Sequence, residues 1–221
     1  MKTLEVVSYP SDPIAPRIEA ILNRRLGVPE KVDEVVREIL ESVRTDGDRA
    51  VAEFAARFDG VEFAESGYRV PVSELRSALQ GLDPDLRTAI EEAKENVRGF
   101  HNHQTSESWF VEDGDGVTLG KKYSPIDRIG ICVPGGKAPL FSSLIMCAVP
   151  AQIAGVKEIC VVSPPRIGGG VDPVIAATAC LLGIEEVHAV GGAQAVAAMA
   201  YGTESIRRVD KIVGPGSPYT V

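Results

Sequence analysis

Three glycine-rich turns, each accompanied by a polar side chain, are the parts of this sequence best suited to binding a ligand. The turns are Gly135-Gly136, Gly191-Gly192 and Gly214-Pro215-Gly216, and the polar residues are Ser142, Gln194 and Ser217. Glycine lets the chain turn at positive φ, and it also lets a ligand approach the backbone closely. A single turn of this kind would indicate only a change of chain direction. Three turns that the predicted topology brings to one edge favour a binding cleft.

The same turns follow short apolar segments that alternate with segments of helical pattern. The apolar segments are Arg128–Val133, Glu158–Ser163, Glu186–Val190 and Lys211–Val213, and the turns after them read VPGGKAP, SPPRIGGG, GGAQA and GPGSP. This alternation predicts βαβ units and a parallel sheet. Right-handed crossovers then put all four turns at the carboxyl ends of the strands, where open α/β sheets bind ligands. Since a helix N-terminus is expected after each turn, the sequence predicts a nucleotide or another phosphate-bearing ligand.

The residues that precede this sheet have a helical pattern. Apolar residues recur at three- and four-residue spacing over Lys31–Phe58, with an interruption at Asp46-Gly47-Asp48. We expect Gly47 to end one helix and Asp48 to cap the next. Asp83-Pro84 predicts the start of a long helix, with the aspartate as N-cap and the proline in the first turn.

The predicted fold is α/β, with a helical N-terminal region followed by a nucleotide-binding-like parallel β-sheet and its flanking helices. Trp109–Val111 and Val117–Tyr123 flank an acidic turn and predict a β-hairpin between the two parts. A further short strand is expected within Phe63–Val72. We therefore expect a helical region with a hairpin over residues 1–123 and a parallel βα domain over residues 124–221.

Composition restricts the classes of partner. The formal net charge of −8 disfavours nucleic acid, because nucleic-acid binding needs a basic surface. No apolar run reaches the length of a transmembrane helix, and the N-terminus lacks the apolar core of a signal peptide, so no membrane partner and a cytoplasmic location are expected. Four cysteines form no CxxC pair, and we expect buried, reduced thiols at Cys132, Cys147, Cys160 and Cys180.

The three histidines do not predict a metal site. His101 and His103 are two residues apart on a predicted helix, so they point to different faces, and His188 lies in the third predicted strand. The sequence contains no HExxH, GxSxG or Walker-type motif, and GPGSPY supplies only the first two glycines of GxGxxG. These residues alone therefore predict no catalytic group and no metal ligand.

The motifs resemble those of histidinol dehydrogenase. The resemblance rests on VPGG, GGAQA, AYGTE, VDKI and GPG in this order and spacing, and it is strong from Pro125 to Tyr219 and weaker before that. It implies a zinc-dependent enzyme that uses NAD⁺ to oxidise L-histidinol, or a similar small amino alcohol, to L-histidine through an aldehyde. It also implies a homodimer and a place in histidine biosynthesis.

The resemblance assigns three positions to NAD binding. The family places a tyrosine before VPGG, the glutamine of GGAQA and an asparagine after GPG against the cofactor, and these positions hold Cys132, Gln194 and Ser217. Only Gln194 keeps the family's residue, since cysteine lacks the aromatic ring and serine lacks the carboxamide. Lys137 also stands where a small hydroxyl residue is common. We therefore expect a weaker or differently posed cofactor, or a different alcohol substrate.

The resemblance places the zinc ligands and the Glu–His proton-transfer pair after the GPG segment, beyond Val221. No residue of this sequence is therefore assigned to either role, the parallel domain is expected to be incomplete, and the 221 residues alone are expected to be inactive. Two alternatives stay open at this point. One is a dehydrogenase of the same family with another alcohol substrate, and the other is a non-catalytic nucleotide-binding module.

Overall fold

The computed structural model describes residues 30–63, 67–135, 138–216 and 219–220. The helices are α1 (Glu30–Asp46), α2 (Asp48–Asp59), α3 (Val72–Gln80), α4 (Pro84–Asn102), α5 (Phe141–Ile153), α6 (Pro173–Leu181) and α7 (Gly192–Tyr201). The strands are β1 (Trp109–Glu112), β2 (Thr118–Lys121), β3 (Arg128–Cys132), β4 (Glu158–Ser163), β5 (Glu186–Ala189) and β6 (Lys211–Val213). The predicted α/β class is confirmed.

Four strands form a parallel sheet in the order β5-β4-β3-β6. Its register pairs Cys132 with Val162 between β3 and β4, and Cys160 with Glu186 between β4 and β5. The strands are short and apolar, and β3, β4 and β5 are almost wholly buried, as expected for a parallel sheet with helices on both faces. The strand order reverses between β3 and β6, because β4 and β5 extend the sheet on one side of β3 and β6 adds on the other. The carboxyl ends of β3 and β6 therefore form a switch point, at which α/β sheets bind ligands.

Helices cover the sheet on both faces and create two hydrophobic cores. One core, which includes Ile131, Val161 and Val187, packs against α3, α4, α5 and α6. The other core includes Val162 and Met199 and packs against α1, α2 and α7. The alternation of side chains along each strand explains why consecutive residues belong to different cores. The amphipathic pattern of Lys31–Phe58 thus reflects two helices that lie on the same face of the sheet as α7.

The break between α1 and α2 is at Gly47, as predicted, but Asp48 does not cap α2. Gly47 takes a positive φ of 54° in the N-cap position, and Asp48 is the first residue of the helix. The Asp48 carboxylate instead accepts hydrogen bonds from Tyr68 and from Ser205, each at 2.5 Å. The prediction that Asp48 caps α2 was therefore wrong, because its carboxylate binds the hydroxyl groups of two residues that are distant in the sequence. Asp83 does cap α4, since it accepts from the amides of Asp85 and Leu86.

The segment before α3 covers one edge of the sheet. The Val70 amide donates to the Val187 carbonyl at 2.8 Å, and the Ala189 amide donates to the Tyr68 carbonyl at 2.7 Å. The short strand expected within Phe63–Val72 is thus a single antiparallel bridge between Arg69 and His188 in the part of that segment that the structure describes.

The predicted hairpin forms from β1 and β2, and both strands are exposed along their whole length. Trp109, Val111 and Leu119 lie on one face of the hairpin and each exposes more than half of its surface. Among the described residues, no helix has the length and apolar character needed to cross a membrane. The division of the chain at residues 123 and 124 stays a prediction.

Candidate functional site

All four turns contribute residues to a cleft of about 440 Å³ at the carboxyl edge of the sheet, which we call the strand-edge cleft. Its lining residues are Cys132, Val133, Pro134, Gly135, Leu140, Val162, Pro164, Gly191, Gly192, Ala195, Pro215, Gly216 and Thr220. None of these described residues carries a charged side chain. An anionic ligand in this cleft would therefore be held by backbone amides rather than by lysine or arginine.

Close packing between the turns explains two of the glycines. A Cβ on Gly191 would lie 2.6 Å from Pro164 Cγ, and a Cβ on Gly135 would lie 2.6 Å from Ser163 Oγ. The turns that follow β3 and β5 therefore rest on the turn that follows β4, and side chains at these positions would push them apart. The Ser163 hydroxyl is buried beneath the cleft and has no hydrogen-bond partner among the described residues.

Helix α7 begins directly at the cleft. Gly191 is its N-cap and provides no side-chain acceptor, so the amides of its first turn point towards the cleft without a cap. Helix α5 also begins at the cleft, since its N-cap Leu140 lines it, whereas Asp172 caps α6 by accepting from the Val174 amide. The expectation of a helix start after every turn is thus met at the cleft by α7 and α5, and the partial positive charge of these helix ends favours an anion.

Gln194, the third residue of α7, lies between the strand-edge cleft and a second cavity. Its side chain is only 2% exposed. The second cavity, which we call the flank cavity, has a volume of about 520 Å³. It is lined by Val32, Val35, Ile39, Arg57, Phe58, Asp59, Gly192, Ala193, Gln194 and Tyr219. Because the carboxamide of Gln194 can both donate and accept hydrogen bonds, it is suited to pair with a ligand in the flank cavity.

The other two residues assigned to the cofactor have different outcomes. Cys132 lines the strand-edge cleft at the end of β3, where burial raises the pKa of its thiol to about 11. The thiol is therefore neutral near pH 7 and is not an activated nucleophile. Ser217 lies outside the described residues, as does Lys137. Ser142 is exposed on α5 and lines neither cavity.

A polar cluster that sequence reasoning missed lies at the opposite, amino-terminal end of the sheet. Arg128 is 5% exposed and bonds to Glu158 at 3.0 Å and to Glu186 at 2.5 Å. His188 is fully buried, with Nε2 at 3.4 Å from Glu186 and Nδ1 without a partner among the described residues. Burial alone would raise the pKa of Glu186, but the hydrogen bonds from His188 and Arg128 lower it to about 2. The sheet register brings these residues together, and their sequence spacing does not reveal it.

This cluster also contains the closest approach to a metal site within the described residues. The ligand atoms of Cys160, Glu186 and His188 lie within 4.8 Å of one another. However, the Arg128 guanidinium already neutralises Glu186, and burial raises the pKa of Cys160, whereas a metal needs the thiolate. The three residues therefore do not fit a zinc ion, and we interpret them as a buried ion-pair network. The histidines of the HxH pair are equally unsuited, since His101 bonds to Gln104 at 2.7 Å and His103 is an exposed residue at the end of α4.

The sequence model of one family, described as histidinol dehydrogenase, matches residues 22–221. The chain belongs to the histidinol dehydrogenase family. Its AYGTE motif contains two residues of the network around Asp48, because Thr203 Oγ1 lies 3.3 Å from the Tyr68 hydroxyl and Glu204 accepts from the Asp48 amide at 2.9 Å. Its GGAQA motif forms the start of α7.

Histidinol dehydrogenases from several bacteria are similar along most of the chain. That of Syntrophotalea carbinolica is 43% identical over 98% of this chain and 50% of its own length. That of Symbiobacterium thermophilum is 44% identical over 91% of this chain and 46% of its own length. The crystal structure of histidinol dehydrogenase from Elizabethkingia anophelis superposes with a TM-score of 0.83, at 35% identity, over 91% of this chain and 46% of that one. The chain thus spans about half the length of the histidinol dehydrogenases that it matches.

Proposed function

We propose that the chain supplies the NAD-binding part of a histidinol dehydrogenase. The parent reaction is the zinc-dependent, two-step oxidation of L-histidinol to L-histidine with NAD⁺, carried out by a homodimer. Family membership supports the oxidoreductase class and the histidinol substrate. The observation that carries the assignment of NAD binding is the buried side chain of Gln194, which lines the flank cavity and lies in the first turn of α7, between Gly192 and Ala195 of the strand-edge cleft.

The residues around the strand-edge cleft fit part of a dinucleotide. Backbone amides at the start of α7 suit a phosphate, and the walls formed by Cys132, Val133 and Pro134 suit an apolar ring. The Gln194 carboxamide both donates and accepts, so it fixes the orientation of the ligand. Bound NAD⁺ would supply the hydride acceptor for oxidation of the alcohol. The part of the chain described here would bind and orient it and keep water from its buried face.

No described residue that lines the strand-edge cleft is a proton acceptor suited to alcohol oxidation. Its one titratable lining residue is Cys132, whose raised pKa keeps the thiol protonated, and no described residue is assigned to zinc. We therefore propose that the 221 residues alone do not oxidise histidinol. This is tested by incubating the chain with L-histidinol, NAD⁺ and zinc, for which we expect no formation of NADH.

Calorimetric titration with NAD⁺ tests the cofactor assignment. Substitution of Gln194 by methionine keeps the length of the side chain and removes its hydrogen bonds, so the dissociation constant should rise about threefold to tenfold. Gln80→Ala is the matched control, because Gln80 is exposed at the end of α3, far from the cleft in the chain and absent from its lining. Unchanged affinity in Gln194→Met, with measurable binding by the unaltered chain, would contradict the role of Gln194.

A dehydrogenase of the same family with another substrate is the second candidate. It is favoured by Cys132, which lines the cleft at the position that the family resemblance assigns to a tyrosine. Cysteine leaves space where an aromatic ring would stand. Replacement of Cys132 by tyrosine should tighten NAD⁺ binding if the cofactor takes the family pose. Weaker NAD⁺ binding by this variant would indicate that the space beside Cys132 is used by a different ligand.

A further inference from the structure

Asp59, the last residue of α2, occupies an unfavourable position for a carboxylate. It lies at the helix C-terminus, where the helix dipole disfavours negative charge. Its Oδ2 atom is buried and has no hydrogen-bond partner among the described residues, and burial raises the pKa of the carboxyl group. The nearby cation Arg57 is engaged elsewhere, since it lies 3.6 Å from Glu38 and 5.1 Å above the ring of Phe58. Burial of a carboxylate without a hydrogen-bond partner is unfavourable, so Asp59 is suited to accept hydrogen bonds from a ligand.

The flank cavity is the space that Asp59 faces. The polar side chains of Asp59 and Gln194 line it together with the apolar side chains of Val32, Val35, Ile39 and Phe58. A carboxylate only accepts hydrogen bonds, whereas the carboxamide both donates and accepts. The cavity therefore suits a ligand with hydroxyl groups next to a flat apolar ring system.

The flank cavity adjoins the strand-edge cleft. Gly192 lines both, and the sequence neighbours Tyr219 and Thr220 line the flank cavity and the cleft respectively. The unusual φ of 68° at Gly192 lets the backbone pass between the two spaces without a side chain. An elongated ligand that binds the α7 amides with a phosphate can thus extend into the flank cavity.

We propose that the flank cavity binds the ribose of a dinucleotide, with the Asp59 carboxylate accepting hydrogen bonds from the ribose hydroxyls. This inference rests on the proposed cofactor binding and adds a specificity residue to it. A carboxylate at the ribose hydroxyls repels a phosphate group at the same place, as acidic residues do in other dinucleotide sites. The chain should therefore bind NAD⁺ in preference to NADP⁺, and Asp59 should be the cause.

The test compares the affinities of NAD⁺ and NADP⁺ by calorimetry for the unaltered chain, Asp59→Asn and Glu53→Gln. The control removes a negative charge from an exposed residue of the same helix, Glu53, which pairs with Arg49. We expect the unaltered chain and Glu53→Gln to prefer NAD⁺ by at least about tenfold. Asp59→Asn should weaken NAD⁺ binding about tenfold to a hundredfold and bring the ratio of the two affinities close to one.

Each outcome separates the two proposals. If the chain binds NAD⁺ and the ratio is the same in Asp59→Asn, the role of Asp59 is overturned while cofactor binding stands. Equal affinity of the unaltered chain for NAD⁺ and NADP⁺ would overturn it without any variant. Failure of the unaltered chain and of Glu53→Gln to bind either dinucleotide or adenosine would overturn the cofactor proposal and the inference with it. Circular dichroism should show a folded Asp59→Asn, because asparagine keeps the shape and removes a buried charge.

Discussion

The buried Arg128 depends on two glutamates at the amino-terminal end of the sheet. Glu186 lies 2.5 Å from the guanidinium and also approaches His188, whereas Glu158 is shared with the exposed Arg207. Substitution of Glu186 by glutamine leaves a buried charge with one exposed partner. We expect a loss of about 1–3 kcal/mol in the free energy of unfolding, measured by urea denaturation. Glu185→Gln is the control, because Glu185 is exposed and lies 3.7 Å from Arg76.

The same carboxylate makes stability depend on pH. The pKa of Glu186 is lowered to about 2 in the folded chain from its ordinary value of 4.5. The contribution of Glu186 to the free energy of unfolding is therefore complete above about pH 4.5 and is lost as the pH falls from about 4.5 towards about 2. Glu186→Gln should lack this part of the acid dependence. If the free energy of unfolding changed equally with pH in the unaltered chain and in Glu186→Gln, between about pH 5 and about pH 2, the assignment would be contradicted.

At the scale of elements, the junction of α1 and α2 is held by the loop that follows α7. Gly47 has a positive φ of 54°, and a Cβ there would collide with the Glu204 carboxylate, which accepts from the Asp48 amide. Gly60, at the other end of α2, also has a positive φ, of 67°, but no atom lies within 4 Å of the place of its Cβ. Comparison of alanine substitutions at Gly47 and Gly60 therefore separates the cost of backbone strain from the cost of steric conflict.

Gly47→Ala should therefore destabilise the chain more than Gly60→Ala does. We expect about 1 kcal/mol for Gly60→Ala from the left-handed backbone alone, and about 2–4 kcal/mol for Gly47→Ala, which also displaces Glu204. Thermal unfolding followed by circular dichroism measures both. Equal losses would mean that Glu204 moves aside without cost.

The elements were predictable from sequence where one segment determines its own structure. Apolar runs bounded by glycine and proline predicted the four parallel strands to within one residue at each end, and Asp83-Pro84 predicted the start of α4. The meeting of the four turns followed from the handedness of βαβ units. Contacts between distant segments were not predictable. The hydrogen bond between Ser205 and Asp48 depends on how the helices pack on the sheet, and the pairing of Cys160 with Glu186 depends on the strand register. Neither can be predicted from a local sequence pattern.

The same limit applies to the candidate site. Gln194 was found because its motif is recognisable, and the structure shows its side chain buried beside two cavities. Asp59 was not singled out, because it ends an amphipathic helix and looks like an ordinary exposed acid in the sequence. Its position against α7 results from the packing of α1 and α2 on that helix.

On the scale of the whole molecule, the hairpin leaves a large apolar surface uncovered. Trp109, Val111 and Leu119 share one face and are 55%, 59% and 65% exposed, while Phe110 on the other face is 60% exposed. An isolated two-stranded hairpin is only marginally stable in water, and apolar patches of this kind mark contact surfaces. We expect the chain to associate with itself through this face.

Sedimentation and fluorescence test this expectation. Trp109 is the sole tryptophan, so its emission should shift to shorter wavelength as the protein concentration rises. Leu119→Thr keeps a residue that favours strands and removes apolar surface, so it should weaken association. Thr118→Ser, on the opposite face of the hairpin, is the control. A single monomeric species at every concentration, with unshifted emission, would contradict the expectation.

The two outer borders of the parallel sheet differ. At β5 the amide of Ala189 is bonded to Tyr68, whereas the outer side of β6 has no neighbouring strand among the described residues. In heavy water, the backbone protons of β5 should therefore persist well after those on the free side of β6 have been replaced by deuterium. Any further strand that joins this sheet must add at β6, so the sheet can grow in one direction only.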